Sequence, residues 1–387
     1  MVDEKFYEEK PDWNLYQLLP KDLKIEKANA YPITKPRLIG DIGLRSFFQL
    51  YKRAKKIILQ NGIDFLYIPI PSFYVALLGR WLHRTTGVQY GIDYIDPWVH
   101  HFPGSDKLFS RHWMSTKIAK LLEPIAVKNA ALITGVAEGY YAGVIERNAH
   151  LESKALFAAM PYGGEVKDHN MVKVLQLKPY RFHKKTGIIQ LVYAGAMLPK
   201  AYEPLKRIFA AIKNEPTLFA GIEIHFIGTG KSPNDTNGYN IKPIATEFGL
   251  WQTTVYEYPA RIPYLDVLVH LNEADGVFIL GSTEPHYTPS KVYQGVLSQK
   301  PIAAVLHSAS SACAVIRQSN AGIVLDFDGE GDTEKIEQQF AVFFDSYLKF
   351  IKSFDPLQVD KSVFEKFSAR SVTEILANKL NELTNKK

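Results

Sequence analysis

A single cysteine, Cys313, stands among 387 residues, which excludes an internal disulfide framework and any metal site built on several thiolates. That usage fits a reducing compartment. No apolar run approaches the roughly 20 residues of a membrane span, and the opening segment MVDEKFYEEK lacks a signal-peptide core. The expectation is a cytoplasmic protein, either soluble or peripheral to the inner face of the membrane. No GxGxxG follows a strand, and HExxH and GxSxG are absent, so dinucleotide oxidoreductases, zincins and α/β-hydrolases lose their main support. Gly230-Lys231-Ser232 resembles the end of a phosphate-binding P-loop. His225 stands where its first glycine belongs, however, and Pro233 interrupts the helix it needs. Excess charge of one sign is also lacking, since 46 basic against 40 acidic residues leave only +6. That balance permits an anionic ligand or an anionic membrane surface but demands neither, and nucleic acid is not an expected partner. There is no low-complexity segment and no internal repeat beyond a βα alternation.

What is present reads as a soluble globular protein, 46% apolar and 22% charged. The length is too great for one ordinary core, so two domains of roughly 150 to 200 residues are expected. The 22 Phe, 21 Tyr and 5 Trp supply rings for the cores and for stacking on a ligand. Short apolar runs alternate with segments of helical period, the pattern of parallel sheets covered by helices. In the first half, strands are predicted at 64–69, 88–92 and 131–134, and helices at 72–84, 117–129 and 138–147. KPYRFHKKT, residues 178–186, is polar and basic and reads as a linker. Beyond it strands are predicted at 188–193, 222–227, 255–258 and 276–280, and helices at 202–213 and 262–273. A long helix over 333–354 ends at Asp355-Pro356, and a last amphipathic helix covers 363–383.

The stretch from Gly276 to Ile302 is the most informative. Val277, Phe278, Ile279 and Leu280 form a buried strand that Gly281 ends, and Pro289 fits the first turn of a helix. Thr288 suits the N-cap, which leaves the N–H groups around Ser290 and Lys291 pointing outward. Unpaired N–H groups, the helix dipole and the Lys291 charge together favour an anion, and the motif reads as a diphosphate cradle.

Together these segments resemble GT-B glycosyltransferases close to family 4. The resemblance runs through YAG at 193–195, HFIGTG at 225–230 and TPSKVYQGVLSQKPI at 288–302. In the first half it runs through residues 61–98, which end in Asp-x-x-Asp-Pro-Trp, and through 122–141. It spans about residues 12 to 380 and implies two Rossmann-like domains facing across a cleft. The expected division is 1–180 for the acceptor, 181–360 for the nucleotide sugar, and 361–387 as a terminal helix crossing back. The implied reaction moves a sugar from a UDP-, GDP- or ADP-linked donor to a glycan or lipid-linked acceptor in polysaccharide or glycoconjugate biosynthesis. No cofactor and no metal is required.

By the same resemblance Ser290 and Lys291 hold the diphosphate, Lys200 and Arg261 add positive charge, and Gly195 and Gly228 let the ligand approach the backbone. Taken singly, each of those cations reads first as a solvated surface group, and each glycine could serve only as a strand-ending turn. The family usually places two glutamates around the 288–302 helix, near the donor sugar and the ribose. Here those positions are His286 and Gln294, with Glu284 close by, and Gln294 can still hydrogen-bond ribose hydroxyls.

In the first half Asp93, Asp96, His100 and His101 cluster after a strand. Asp96 and His101 are the expected catalytic pair if the reaction inverts the anomeric centre; if it retains, they orient substrates. Alternatively Asp93 and Asp96 cap turns around Pro97. The family's first βα unit reads as missing or shortened, and the glycines of residues 37–43 follow no good strand. Lys52-Arg53-Ala54-Lys55-Lys56 is a basic helical patch, a solvated face or a contact with anionic lipid. A second reading, a GT-B-shaped nucleotide-binding or partner protein without catalysis, draws on His286, Gln294 and the unusual start.

Overall fold

The computed structural model describes residues 1–8, 11–34, 39–70, 72–99, 105–232, 234–285 and 290–385. It falls into two compact units, one of residues 1–11, 20–161 and 372–387, the other of 12–19 and 162–371.

In the first unit, α2 (Ile42–Asn61) precedes β1 (Phe65–Pro69), α3 (Ala76–Thr86), β2 (Gln89–Tyr94), α4 (Arg111–Val127), β3 (Leu132–Gly135), α5 (Glu138–Arg147) and β4 (Leu156–Ala159). The sheet is parallel in the order β1-β2-β3-β4. Successive right-handed crossovers in one direction place α3, α4 and α5 on one face, and α3 packs between α2 and α4. Ile68, Tyr90, Ile92, Tyr94 and Ile133 bury that face. Glu123 is fully buried there and is held by a two-pronged pair with Arg147, at 2.8 and 3.0 Å. Among the described residues no strand precedes β1 in this sheet. Gly43, in the first turn of α2, has a packing role, since a Cβ there would lie 2.2 Å from Ser72 Oγ, and Asp41 caps the helix by accepting from Leu44 N.

The second unit holds α1 (Trp13–Gln17) and α6 (Val166–Val174). There follow β5 (Ile189–Ala194), α7 (Tyr202–Asn214), β6 (Ile222–Ile227), α8 (Ile241–Glu247), β7 (Val255–Tyr258), α9 (Tyr264–Glu273), β8 (Gly276–Leu280), α10 (Lys291–Leu297), β9 (Ile302–His307), α11 (Ser311–Gln318), β10 (Gly322–Phe327), α12 (Thr333–Ser353) and α13 (Lys361–Glu365). Its six-stranded parallel sheet runs β10-β9-β8-β5-β6-β7 and is covered on both faces. Leu191 and Tyr193 of β5 point into one core, while Val192 points into the other. That double burial is why β8 reads as an unbroken apolar run.

Three expectations from the sequence need correction. The 178–186 segment is no linker, because Phe182 is buried and stacks on His225 at 4.1 Å, and the backbone N–H groups of Tyr180 and Arg181 donate to His270 Nε2. The division between units falls earlier, after Pro161, since α6 packs on α9. Nor is the terminal helix continuous. It breaks between α13 and α14 (Ala369–Asn385), where Gly164 donates to Phe367 O and accepts from Ala369 N.

Candidate functional site

The strand order of the second unit reverses between β5 and β8, and an open α/β sheet binds ligands outside the carboxyl ends of its strands at such a switch point. Here the ends are Ala194-Gly195 and Leu280-Gly281. Lys291, the first residue of α10, crosses that gap, and its Nζ donates to Tyr193 Oη at 2.9 Å and to Ala196 O at 3.1 Å. The ammonium also sits 4.4 Å from the centre of the Tyr193 ring. Gly195 allows this passage, since with φ of 108° a Cβ there would stand 2.9 Å from Lys291 Cε. Gly228, with φ of 74°, lies alongside: its would-be Cβ is 3.8 Å from Gly195 Cα and 3.6 Å from Arg261 Cα. The structure therefore brings Gly195, Gly228, Arg261 and Lys291 together at the switch point.

Lys200 follows on the loop after β5. Its Nζ pairs with Glu330 Oε1 at 3.2 Å, which tempers the charge expected of it, and its carbonyl accepts from Thr283 N. Ser290 precedes α10 with helical dihedrals and makes no side-chain capping bond. Glu284 is half-buried, and its N–H donates to Ser282 Oγ at 3.3 Å. His286, like Thr288 and Pro289, lies outside the described residues, as do His100 and His101.

A hollow of about 330 Å³ opens beside Lys291, lined by Tyr162, Gly163, Tyr264, Val267, Ser290 and Gln294. Its size lies at the lower end of the small-molecule range. Gln294 Oε1 accepts from His169 Nε2 at 3.0 Å, and Tyr264 Oη donates to Asp168 Oδ2 at 3.0 Å. Burial holds the His169 imidazole below its ordinary value, so its neutral form is favoured despite Gln294 and Asp168. Asp12 ties the rim by accepting from Tyr264 N at 2.9 Å. Sequence reasoning missed Asp168, His169 and Tyr264. The first two were assigned to the other domain, and the signal that could have found them is the break after Pro161.

Glu257 on β7 was missed for a different reason, being an acidic residue inside a strand. Nearly fully buried, it accepts from Thr229 Oγ1 and from the backbone N–H groups of Asn240, Ile241 and Lys242, at 2.8 to 3.0 Å. It thereby ties the loop after Gly228 to the start of α8.

In the first unit Asp96 is exposed in the bend after β2, and Trp98 anchors that bend by stacking on Phe73. Asp93 instead faces the sheet. Its Oδ1 accepts from Thr134 Oγ1 at 2.7 Å, and Tyr67 Oη lies 2.7 Å from the same hydroxyl. Burial raises the Asp93 pKa, against those two hydrogen bonds. Among the described residues no group of three or more His, Cys, Asp or Glu side chains is placed to hold a metal, and no helix is long and apolar enough to cross a membrane.

No family model and no curated protein sequence matches this chain. Solved structures do. HepE from Anabaena in complex with UDP is similar at a TM-score of 0.59 and 12% identity, over 92% of this chain and 86% of that one. Sucrose-phosphate synthase from Thermosynechococcus elongatus matches at 0.59 and 12%, over 96% and 87%. A glycosyltransferase from Rickettsia africae matches at 0.56 and 13%, over 87% and 81%. HepE has also been solved with UDP-glucose. At these identities the likeness is one of fold, and the fold is GT-B: two parallel-sheet α/β units in one chain.

Proposed function

We propose that this chain is a glycosyltransferase of the family 4 kind, moving a sugar from a nucleoside diphosphate sugar to a glycan or lipid-linked acceptor. The observation that carries the reading is Lys291, laid across Gly195 at the switch point and beside the hollow. As the glycosidic bond breaks, the departing diphosphate gains negative charge, and cations already in place stabilise that state more than the ground state. Lys291, Arg261 and Lys200 supply them, with no resident metal or cofactor in the scheme. Gly195 and Gly228 allow the phosphates to approach the backbone. Ser290, Gln294 and Glu284 are assigned to the donor, and His286 with them. Gln294 offers ribose its amide N–H₂, since its oxygen is held by His169.

Asp96 and His101 are assigned to the acceptor, as base and orienting group in an inverting reaction and as positioning groups in a retaining one. A lipid-linked acceptor would be met at a membrane surface, which suits the basic run Lys52–Lys56 on α2. Release of UDP, GDP or ADP from the matching sugar nucleotides tests the reading, with polyprenyl-phosphate-linked saccharides as acceptors. Acceptor-dependent release that Asp96→Asn lowers at least tenfold, with donor binding unchanged, is the expected result. Donor binding without release for any acceptor would favour the binding-protein reading.

A further inference from the structure

We propose that the outer face of α4 is a docking surface for an anionic lipid bilayer. The inference deepens the membrane contact suggested for Lys52–Lys56 and rests on different residues. An ordinary surface helix is apolar toward the core and polar toward water. α4 departs from this, because Met114, Ile118, Leu121 and Ile125 recur at the i, i+4, i+7 spacing of one face and are all exposed. At about 100° per residue that stripe lies opposite Ala119, Glu123 and Ala126, which face the core.

The turn ahead of α4 continues the surface. Leu108 is exposed, and Phe109 is 76% exposed with φ of 61°. A bulky residue in the left-handed region is strained, and this strain serves no buried contact for the ring. The Phe109 ring leans on Trp113 at 5.5 Å, over which Lys117 Nζ stands at 5.6 Å.

Charge selects the occupant. The basic residues Lys107, Arg111, Lys117, Lys120 and Lys128 are all exposed around the stripe. The acidic residue within the helix, Glu123, is buried and paired with Arg147. A second copy of the chain on this face would oppose like charges. An anionic bilayer attracts them, while its acyl boundary takes up the apolar side chains. Lysine stems suit the arrangement, since they lie along apolar surface and keep their charge among headgroups. Trp81 and Phe48, also exposed, belong to the neighbouring α3 and α2 of the same helical layer.

Co-sedimentation with vesicles of equal parts phosphatidylglycerol and phosphatidylcholine tests the proposal on the full chain. The protein is expected to pellet with them and not with pure phosphatidylcholine, and to be released as salt rises. Ile118→Glu with Leu121→Glu should weaken binding by about tenfold or more. Val342→Glu, at an exposed apolar position on α12, should leave it unchanged. A cooperative urea-unfolding transition like that of the wild type shows that the double variant is folded. Capture by vesicles without any nucleotide response would end the transfer reading and support the docking. The docking is overturned if the wild type ignores anionic vesicles, or if the double variant binds them as the wild type does. It is equally overturned if the wild type self-associates through this face and binds no vesicles.

Discussion

Lys291 reaches the end of β5 already bonded to Tyr193 Oη and Ala196 O, and this decides what its removal does. Tyr193 Oη keeps a second partner, since it donates to Ala196 O at 3.2 Å. Lys291→Ala should therefore cost about 1 kcal/mol of stability or less while abolishing stabilisation by nucleoside diphosphates. Gly195→Ala should lose both, because its Cβ would strain a positive φ and press on Lys291 Cε, at roughly 1–3 kcal/mol. Paired melting curves with and without nucleotide separate the two outcomes. Equal loss of intrinsic stability in both variants would contradict the geometry.

Two buried histidines set an acid limit at the same scale. Burial pushes the His225 imidazole down to about 4. Burial likewise lowers His270, whose Nε2 accepts two backbone N–H bonds that protonation would break. The native state thus holds both neutral where an unfolded chain, titrating near 6.5, binds protons. Stability contributed by the neutral rings is present in full above that value and is lost as pH falls toward the folded-state values. Urea unfolding should show about 2 kcal/mol lost through His225 alone between about pH 6.5 and about pH 5. His225→Gln should flatten that slope, whereas a midpoint rising on acidification would contradict the assignment.

Among elements, Glu257 shows a strand supporting the site through a helix. One carboxylate satisfies three N–H groups at the start of α8 and the Thr229 hydroxyl, and the helix dipole favours its charge there. Glu257→Gln puts an N–H₂ where an acceptor was. It should cost about 2–3 kcal/mol in urea unfolding and speed amide exchange over residues 229–242. Unchanged exchange there would separate Glu257 from the loop.

The same elements show how far sequence carried. β6, β7, β8 and α5 fall on their predicted bounds, because short apolar or aromatic strands bounded by turn residues, or helices of clear period, leave a readable pattern. Gly195 and Gly228 were legible as strand ends. The partners of Gln294 and Tyr264 were not, because His169 and Asp168 come from α6, far away in sequence and on a helix with no strong apolar stripe. The 178–186 segment misled because its basic side chains outnumber its one buried ring, Phe182.

For the molecule as a whole, nucleotide binding is proposed for the second unit and lipid docking for α4 of the first, so either should be lost without the other. The central claim is that the second unit binds a nucleoside diphosphate at its switch point. Titration calorimetry of the wild type and Lys291→Ala with UDP, GDP and ADP tests this most directly. The expected result is one-site binding of at least one of them by the wild type, weakened tenfold or more in the variant, a loss of roughly 1.4 kcal/mol or more. Absence of binding for all three, or equal binding by the variant, would contradict it.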